Sequence, residues 1–80
     1  MQWNTINNQL IKTFKFSNFI EALEFTNQVG EVAEKLGHHP TIVLTWGKVE
    51  ISTTTHDKAN TITNKDYELA KQIDNLKQPV

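Results

Sequence analysis

The sequence predicts an α+β domain: an antiparallel β-sheet of about four strands with two α-helices packed on one face, in the order ββαββα. Three observations carry this. Residues 10–16 alternate with the period of a half-buried strand, and residues 19–36 repeat apolar side chains every three or four positions. Two β-branched segments then flank Gly47, and a second helical stripe follows them. At 80 residues the chain reads as one domain, residues 1–80, with no repeat, linker or low-complexity segment.

Each element follows from its residues. Trp3 begins a short first strand, with Asn7-Asn8 as the turn. In the next strand Leu10, Phe14 and Phe16 share one side and Ile11, Thr13 and Lys15 the other. Lys12 interrupts the inward row, which predicts either a strand near an edge or a lysine whose stem covers apolar surface while its ammonium stays in water. Ser17 or Asn18 caps a helix running to about Leu36, with Phe19, Ala22, Leu23, Thr26, Val29, Ala33 and Leu36 as its inner face. Phe25 and Val32 widen that stripe, and Gly30 is expected to permit close approach of another element.

Gly37 is placed to end the helix in the left-handed conformation, and Pro40 prevents its resumption. Residues 41–46 and 48–55 form a hairpin whose turn at Trp46-Gly47 uses positive φ at the glycine. In its second strand Val49, Ile51, Thr53 and Thr55 share a face. Thr63 and Asp66 then form a capping box ahead of the stripe Leu69, Ala70, Ile73 and Leu76, and Pro79 marks the end of that helix.

Composition narrows the function classes. No cysteine is present, which removes disulfides and thiolate catalysis. Nine acidic residues against eight basic ones disfavour a polyanionic partner such as nucleic acid. The start of the chain lacks signal-peptide character, and no apolar run approaches the roughly 20 residues that span a bilayer. The expectation is a soluble, cytoplasmic protein without a membrane partner.

Chemistry concentrates at the three histidines. His38 and His39 occupy a constrained corner between Gly37 and Pro40, and His56 stands at the end of the hairpin in Thr55-His56-Asp57. Imidazole exchanges protons near neutral pH, so three of them with a carboxylate suit acid–base chemistry. Two alternatives stay open at this level. One imidazole could cap the helix C-terminus, or the set could bind zinc, although adjacent histidines are unusual ligand spacing and no HxxxH pair is present. Glu34 lies one helical turn before His38 and can point to the corner. Glu31 and Lys35 read as surface residues.

Taken together, Phe14-Lys15-Phe16, Phe19, Ala22, Phe25, Val29, Ala33-Glu34-Lys35, His38-His39-Pro40, Lys48-Val49, Thr55-His56-Asp57, Asp66, Leu69-Ala70 and Ile73-Asp74 resemble the pterin-4a-carbinolamine dehydratase family. The resemblance runs from about Trp3 to Leu76. It implies a hydro-lyase without cofactor or metal, acting on a 4a-hydroxytetrahydropterin and working as a homodimer or homotetramer. It further implies His38 and His56 as the acid–base pair, His39 as a catalytic-site residue that binds or positions the pterin, and Glu34, Thr54 and Thr55 as substrate contacts. Some relatives are dimerisation partners of transcription factors, which implies an interaction module as the alternative, with Phe25, Val29 and Val32 on its helix face; a pterin-binding protein without turnover is the other.

The chain departs from the family pattern in places. It begins later than many members, without the helix that often precedes the first strands. Gly37 replaces an acidic or amide residue, Ile42 stands where an aromatic is common, and residues 58–62 replace a shorter glycine-leucine turn. These departures imply altered pterin contacts while all three histidines remain.

Overall fold

The computed structural model describes residues 2–56 and 59–76. Strand β1 (Asn4–Ile6) turns into β2 (Gln9–Lys15) and is followed by α1 (Phe19–Leu36); β3 (Thr41–Thr45), β4 (Lys48–Thr53) and α2 (Asn64–Asp74) complete the order. The strands form one antiparallel sheet, β1-β2-β4-β3, as the sequence predicts. Asn7 and Asn8 both take positive φ, 51° and 63°, the pairing that a two-residue hairpin with the native strand twist requires. Pro79, expected to end α2, and Asp57 and Lys58 lie outside the described residues.

Both helices cover one sheet face. Leu10 and Phe14 of β2 and Val49 and Ile51 of β4 meet Ala22, Phe25, Val29 and Ala33 of α1 and Leu69, Ala70 and Ile73 of α2. Phe25 is central, with ring centroids 4.7 Å from Phe14 and 5.1 Å from Phe16. Among the described residues, no helix is long and apolar enough to cross a membrane.

Four expectations need correction. The buried face of α1 is centred on Ala22, Phe25, Val29 and Ala33, whereas Phe19, Leu23 and Leu36 are 46%, 37% and 36% exposed. At about 100° per residue, Leu23 lies well around the helix from Ala22, and Phe19 and Leu36 sit in the end turns where cover runs out. Phe25 is thus the middle of the stripe and not its margin. Gly30 is approached by nothing: a Cβ there would meet no other heavy atom within 4 Å.

Gly47 does not take positive φ, which Gly37 alone of the glycines adopts. Its constraint is proximity, since a Cβ at Gly47 would lie 3.3 Å from the Phe16 carbonyl oxygen, while the Phe16 N–H donates to the Gly47 carbonyl at 2.8 Å. Lys12 sits in an inner strand, since β2 lies between β1 and β4, and it is in register with Ile51 of β4. Its ammonium does not reach for water alone; it contacts Asp74 of α2 at 2.8 Å and lies 4.8 Å from the Phe14 ring centroid. Asp74 also accepts from the Trp3 indole N–H at 3.1 Å, tying the first residues to the last helix.

Candidate functional site

The corner that carries the first two histidines is fixed by backbone. Asn18 caps the start of α1 through its side-chain oxygen, which accepts from the Glu21 N–H at 2.9 Å. At the other end Gly37 takes φ 66° and ψ 30°, and the His38 N–H donates to the Ala33 carbonyl at 3.1 Å. That bond closes the helix and turns the chain sharply, so His38 and His39 project from a defined position. Pro40 leads into β3.

His38 is held from below by a buried carboxylate. Its Nε2 lies 2.6 Å from Oδ1 of Asp66, a residue with no solvent exposure in the first turn of α2. The same oxygen accepts from the Thr53 hydroxyl at 2.6 Å; the other, Oδ2, accepts from the Thr55 hydroxyl at 2.7 Å and the Thr63 N–H at 2.9 Å. Burial pushes the Asp66 carboxyl up, but the bonds from Thr53, His38, the Thr63 backbone and Thr55 together outweigh it and hold the carboxyl below its ordinary 3.8.

An ionised carboxylate only accepts, so Nε2 of His38 carries the proton in this bond and Nδ1 is left as the exchangeable nitrogen. Thr55 spends its single O–H on Asp66, so the Thr63 hydroxyl donates to Thr55 across 2.6 Å. Among the described residues no buried side-chain polar atom lacks a partner.

The other two imidazoles are more open. His39 pairs through Nε2 with the Glu34 carboxylate, both of them exposed. His56 contacts the Asn60 side-chain oxygen through Nδ1 at 2.7 Å, and its Nε2 has no partner among the described residues. Ala59 and Asn60 both hold positive φ, 58° and 57°.

One cleft of about 310 Å³ gathers these parts: Gly37, His38, His39, Thr54, His56 and Lys65 line it. Thr54 is half-buried, and its hydroxyl donates to the Asn8 carbonyl at 2.9 Å. Thr55, 2% exposed, stands behind the cleft with its hydroxyl committed to the Asp66 network, and Glu34 reaches the site through His39 and does not line it. Among the described residues no group of three His, Asp or Glu side chains is arranged to hold a metal ion.

The structure adds residues that sequence reasoning placed elsewhere or passed over. Asp66 was accounted for by its capping box, which is present, yet the same carboxylate reaches His38. A signal existed: Thr53 at the end of β4 and Thr55, just beyond the strand, are buried, and buried hydroxyls require a buried partner. Lys65 and Asn60 gave no such signal.

Comparison with known proteins agrees with this architecture. A family model described as "Pterin 4 alpha carbinolamine dehydratase" matches residues 1–76. A protein of Picosynechococcus sp., provisionally named pterin-4-alpha-carbinolamine dehydratase, is 44% identical over 75 residues, covering 94% of this chain and 80% of its own. Among solved structures, a transcriptional coactivator/pterin dehydratase from Brucella melitensis superposes with a TM-score of 0.83 at 30% identity, over 90% of this chain and 78% of its own. A pterin dehydratase-like protein described as a RuBisCO assembly factor in the alpha-carboxysome shares the fold, with a TM-score of 0.77 at 19% identity over 92% of this chain and 87% of its own.

Proposed function

The chain belongs to the pterin 4 alpha carbinolamine dehydratase family, and from that premise we propose that its histidine cleft dehydrates a 4a-hydroxytetrahydropterin to the quinonoid dihydropterin. The observation that carries the reading is the convergence of His38, His39 and His56 on one cleft, with a buried carboxylate fixing the ring of His38.

The reaction breaks the C4a–O bond. One imidazolium delivers a proton to the departing hydroxyl, which leaves as water; a neutral imidazole removes the proton from the ring nitrogen, whose electron pair forms the new C=N bond. One proton is given and one taken, with no net oxidation or reduction, so the step as written requires no cofactor. His38 and His56 are the acid–base pair in this proposal. Their exchangeable atoms are Nδ1 and Nε2, the nitrogens left free by Asp66 and Asn60. His39, steadied by Glu34, contacts and positions the pterin, and Thr54 borders it. Thr55 serves this site through Asp66.

The test supplies 4a-hydroxytetrahydropterin to the purified protein and follows dehydration spectroscopically. Acceleration above the spontaneous reaction supports the proposal; its absence favours the second reading, an interaction module. That second reading, compatible with the first, cannot use the expected face of Phe25, Val29 and Val32, because Phe25 and Val29 are fully buried and Val32 packs on the core; it draws instead on the start of α1, where Phe19, Ile20 and Leu23 are 46%, 62% and 37% exposed. We assign this surface to self-association as a dimer or tetramer. Sedimentation at several concentrations tests it, and a strictly monomeric protein would contradict it.

A further inference from the structure

The tip of the β3–β4 hairpin holds an aromatic side chain that the core does not use. Trp46 is 72% exposed, whereas Trp3, the other tryptophan, is buried and donates to Asp74. One exposed aromatic is not by itself informative, but its setting is. The tip is pinned on both sides. The Phe16 N–H donates to the Gly47 carbonyl at 2.8 Å, and the Thr45 hydroxyl donates to the Lys48 carbonyl at 3.3 Å. Phe16 packs against the core, and the missing Cβ at Gly47 lets the turn approach its carbonyl closely. Trp46 is thus presented to solvent from a fixed backbone.

Beside it lies a cleft of about 300 Å³, lined by Lys15, Phe16, Thr45, Trp46, Gly47 and Lys48. Its charged lining groups are both cations. Lys15 and Lys48 stand directly opposite each other in the β2–β4 register, which puts their Cβ atoms about 5 Å apart on one face of the sheet. Like charges in that position repel. Glu50, two residues further along the same face of β4, forms no ion pair with either lysine. Among the described residues neither ammonium lies over an aromatic ring. The histidine cleft shares no lining residue with this one and lies past the other end of β4, roughly 20 Å from Lys48 at the rise of an extended strand.

We propose that this cleft binds a planar aromatic anion, a ring bearing a carboxylate or a phosphate, with the ring against the Trp46 indole and the acid group between the Lys15 and Lys48 ammoniums. The anion relieves the repulsion across the two strands, and the ring buries apolar surface that the fold leaves in water. The lining also orients the ligand. Its charged end is set by lysines from two adjacent strands, and its ring by Trp46 and Phe16 beside them. A bare anion gains nothing from the indole, and a neutral ring leaves the two ammoniums facing each other. Both halves are required. The site takes no part in the dehydration proposed above and stands or falls without it.

The experiment titrates the protein with phenyl phosphate and with benzoate, and with inorganic phosphate and benzyl alcohol as the two separate halves, while proton–nitrogen NMR follows the backbone amides and the two indole N–H signals. The expected result is saturable movement of the Trp46 indole and of the amides at 15, 16 and 45–48 with one or both aromatic anions, while the Trp3 indole stays in place. The tighter of the two identifies the acid group as phosphate or carboxylate. Inorganic phosphate and benzyl alcohol should each bind at least roughly tenfold more weakly. Lys15→Met and Lys48→Met, which keep the apolar stem and remove the charge, should each weaken binding roughly fivefold, and Trp46→Ala, read from the amides, roughly tenfold. An unmoved Trp3 indole in each variant shows that the fold is intact. No saturable shift with either aromatic anion, equal affinity for inorganic phosphate, or affinities unchanged by all three substitutions would overturn the site.

Discussion

His38 Nε2 and Asp66 Oδ1 lie 2.6 Å apart, joining the corner after α1 to the first turn of α2 across 28 residues of sequence. The contact couples the proposed chemistry to the packing of the second helix. The carboxylate that caps α2 also decides which nitrogen of the imidazole is free.

Replacing Asp66 by asparagine therefore acts twice. The amide N–H₂ would face donors from Thr53, Thr55 or His38, so stability falls by about 1–3 kcal/mol. The His38 tautomer is no longer fixed, and kcat for dehydration falls on the order of a hundredfold. Chemical denaturation and steady-state kinetics check the two parts separately. Wild-type kcat in a folded Asp66→Asn protein would remove Asp66 from the site.

Acid should weaken the fold through the same group. The Asp66 carboxyl is held below 3.8 in the folded protein, so its contribution is complete above that value and is lost as pH falls through the lower folded value. Between the two values the unfolded chain binds more protons, and stability therefore declines with falling pH. The difference in urea midpoint between wild type and Asp66→Asn should narrow as pH is lowered from about 6 to about 3. A constant difference would contradict the linkage.

Gly37→Ala places a side chain at φ 66° with open space around it. The penalty is conformational and not a clash, about 1 kcal/mol of stability. Because the same turn aims His38 and His39, turnover is expected to fall more than stability alone explains. Thermal melts and kcat measured at a temperature where the variant is fully folded separate the effects.

The correction to the α1 face has its own test. Phe25 is fully buried between Phe14 and Phe16, so Phe25→Ala should cost about 3–5 kcal/mol. Phe19 is nearly half exposed, and Phe19→Ala should cost under about 1 kcal/mol in the monomer. Comparable losses would restore Phe19 to the core.

Local patterns carried much of the fold. The Asn7-Asn8 turn, the cap before Phe19, the Gly37 stop and the Thr63–Asp66 box are each written within four residues, and the structure contains all of them. What stayed hidden was longer in range. Lys12 finds Asp74 and His38 finds Asp66 only because α2 packs beside α1 and over the sheet, a placement no local period encodes. The rotation of the stripe on α1 is not written locally, because nine apolar residues leave its centre undetermined until the sheet chooses a side. At Gly47 the residue type signalled a constraint but not its kind, which is the neighbouring Phe16 carbonyl.

The most direct measurement is kcat for 4a-hydroxytetrahydropterin dehydration in wild type, His38→Ala, His56→Ala and the protein with both substitutions. The expected result is a wild-type rate well above the spontaneous reaction, a loss on the order of a hundredfold or more in each single variant, and a double variant close to the spontaneous rate. A wild-type rate equal to the spontaneous one, or histidine variants that keep wild-type kcat, would contradict it.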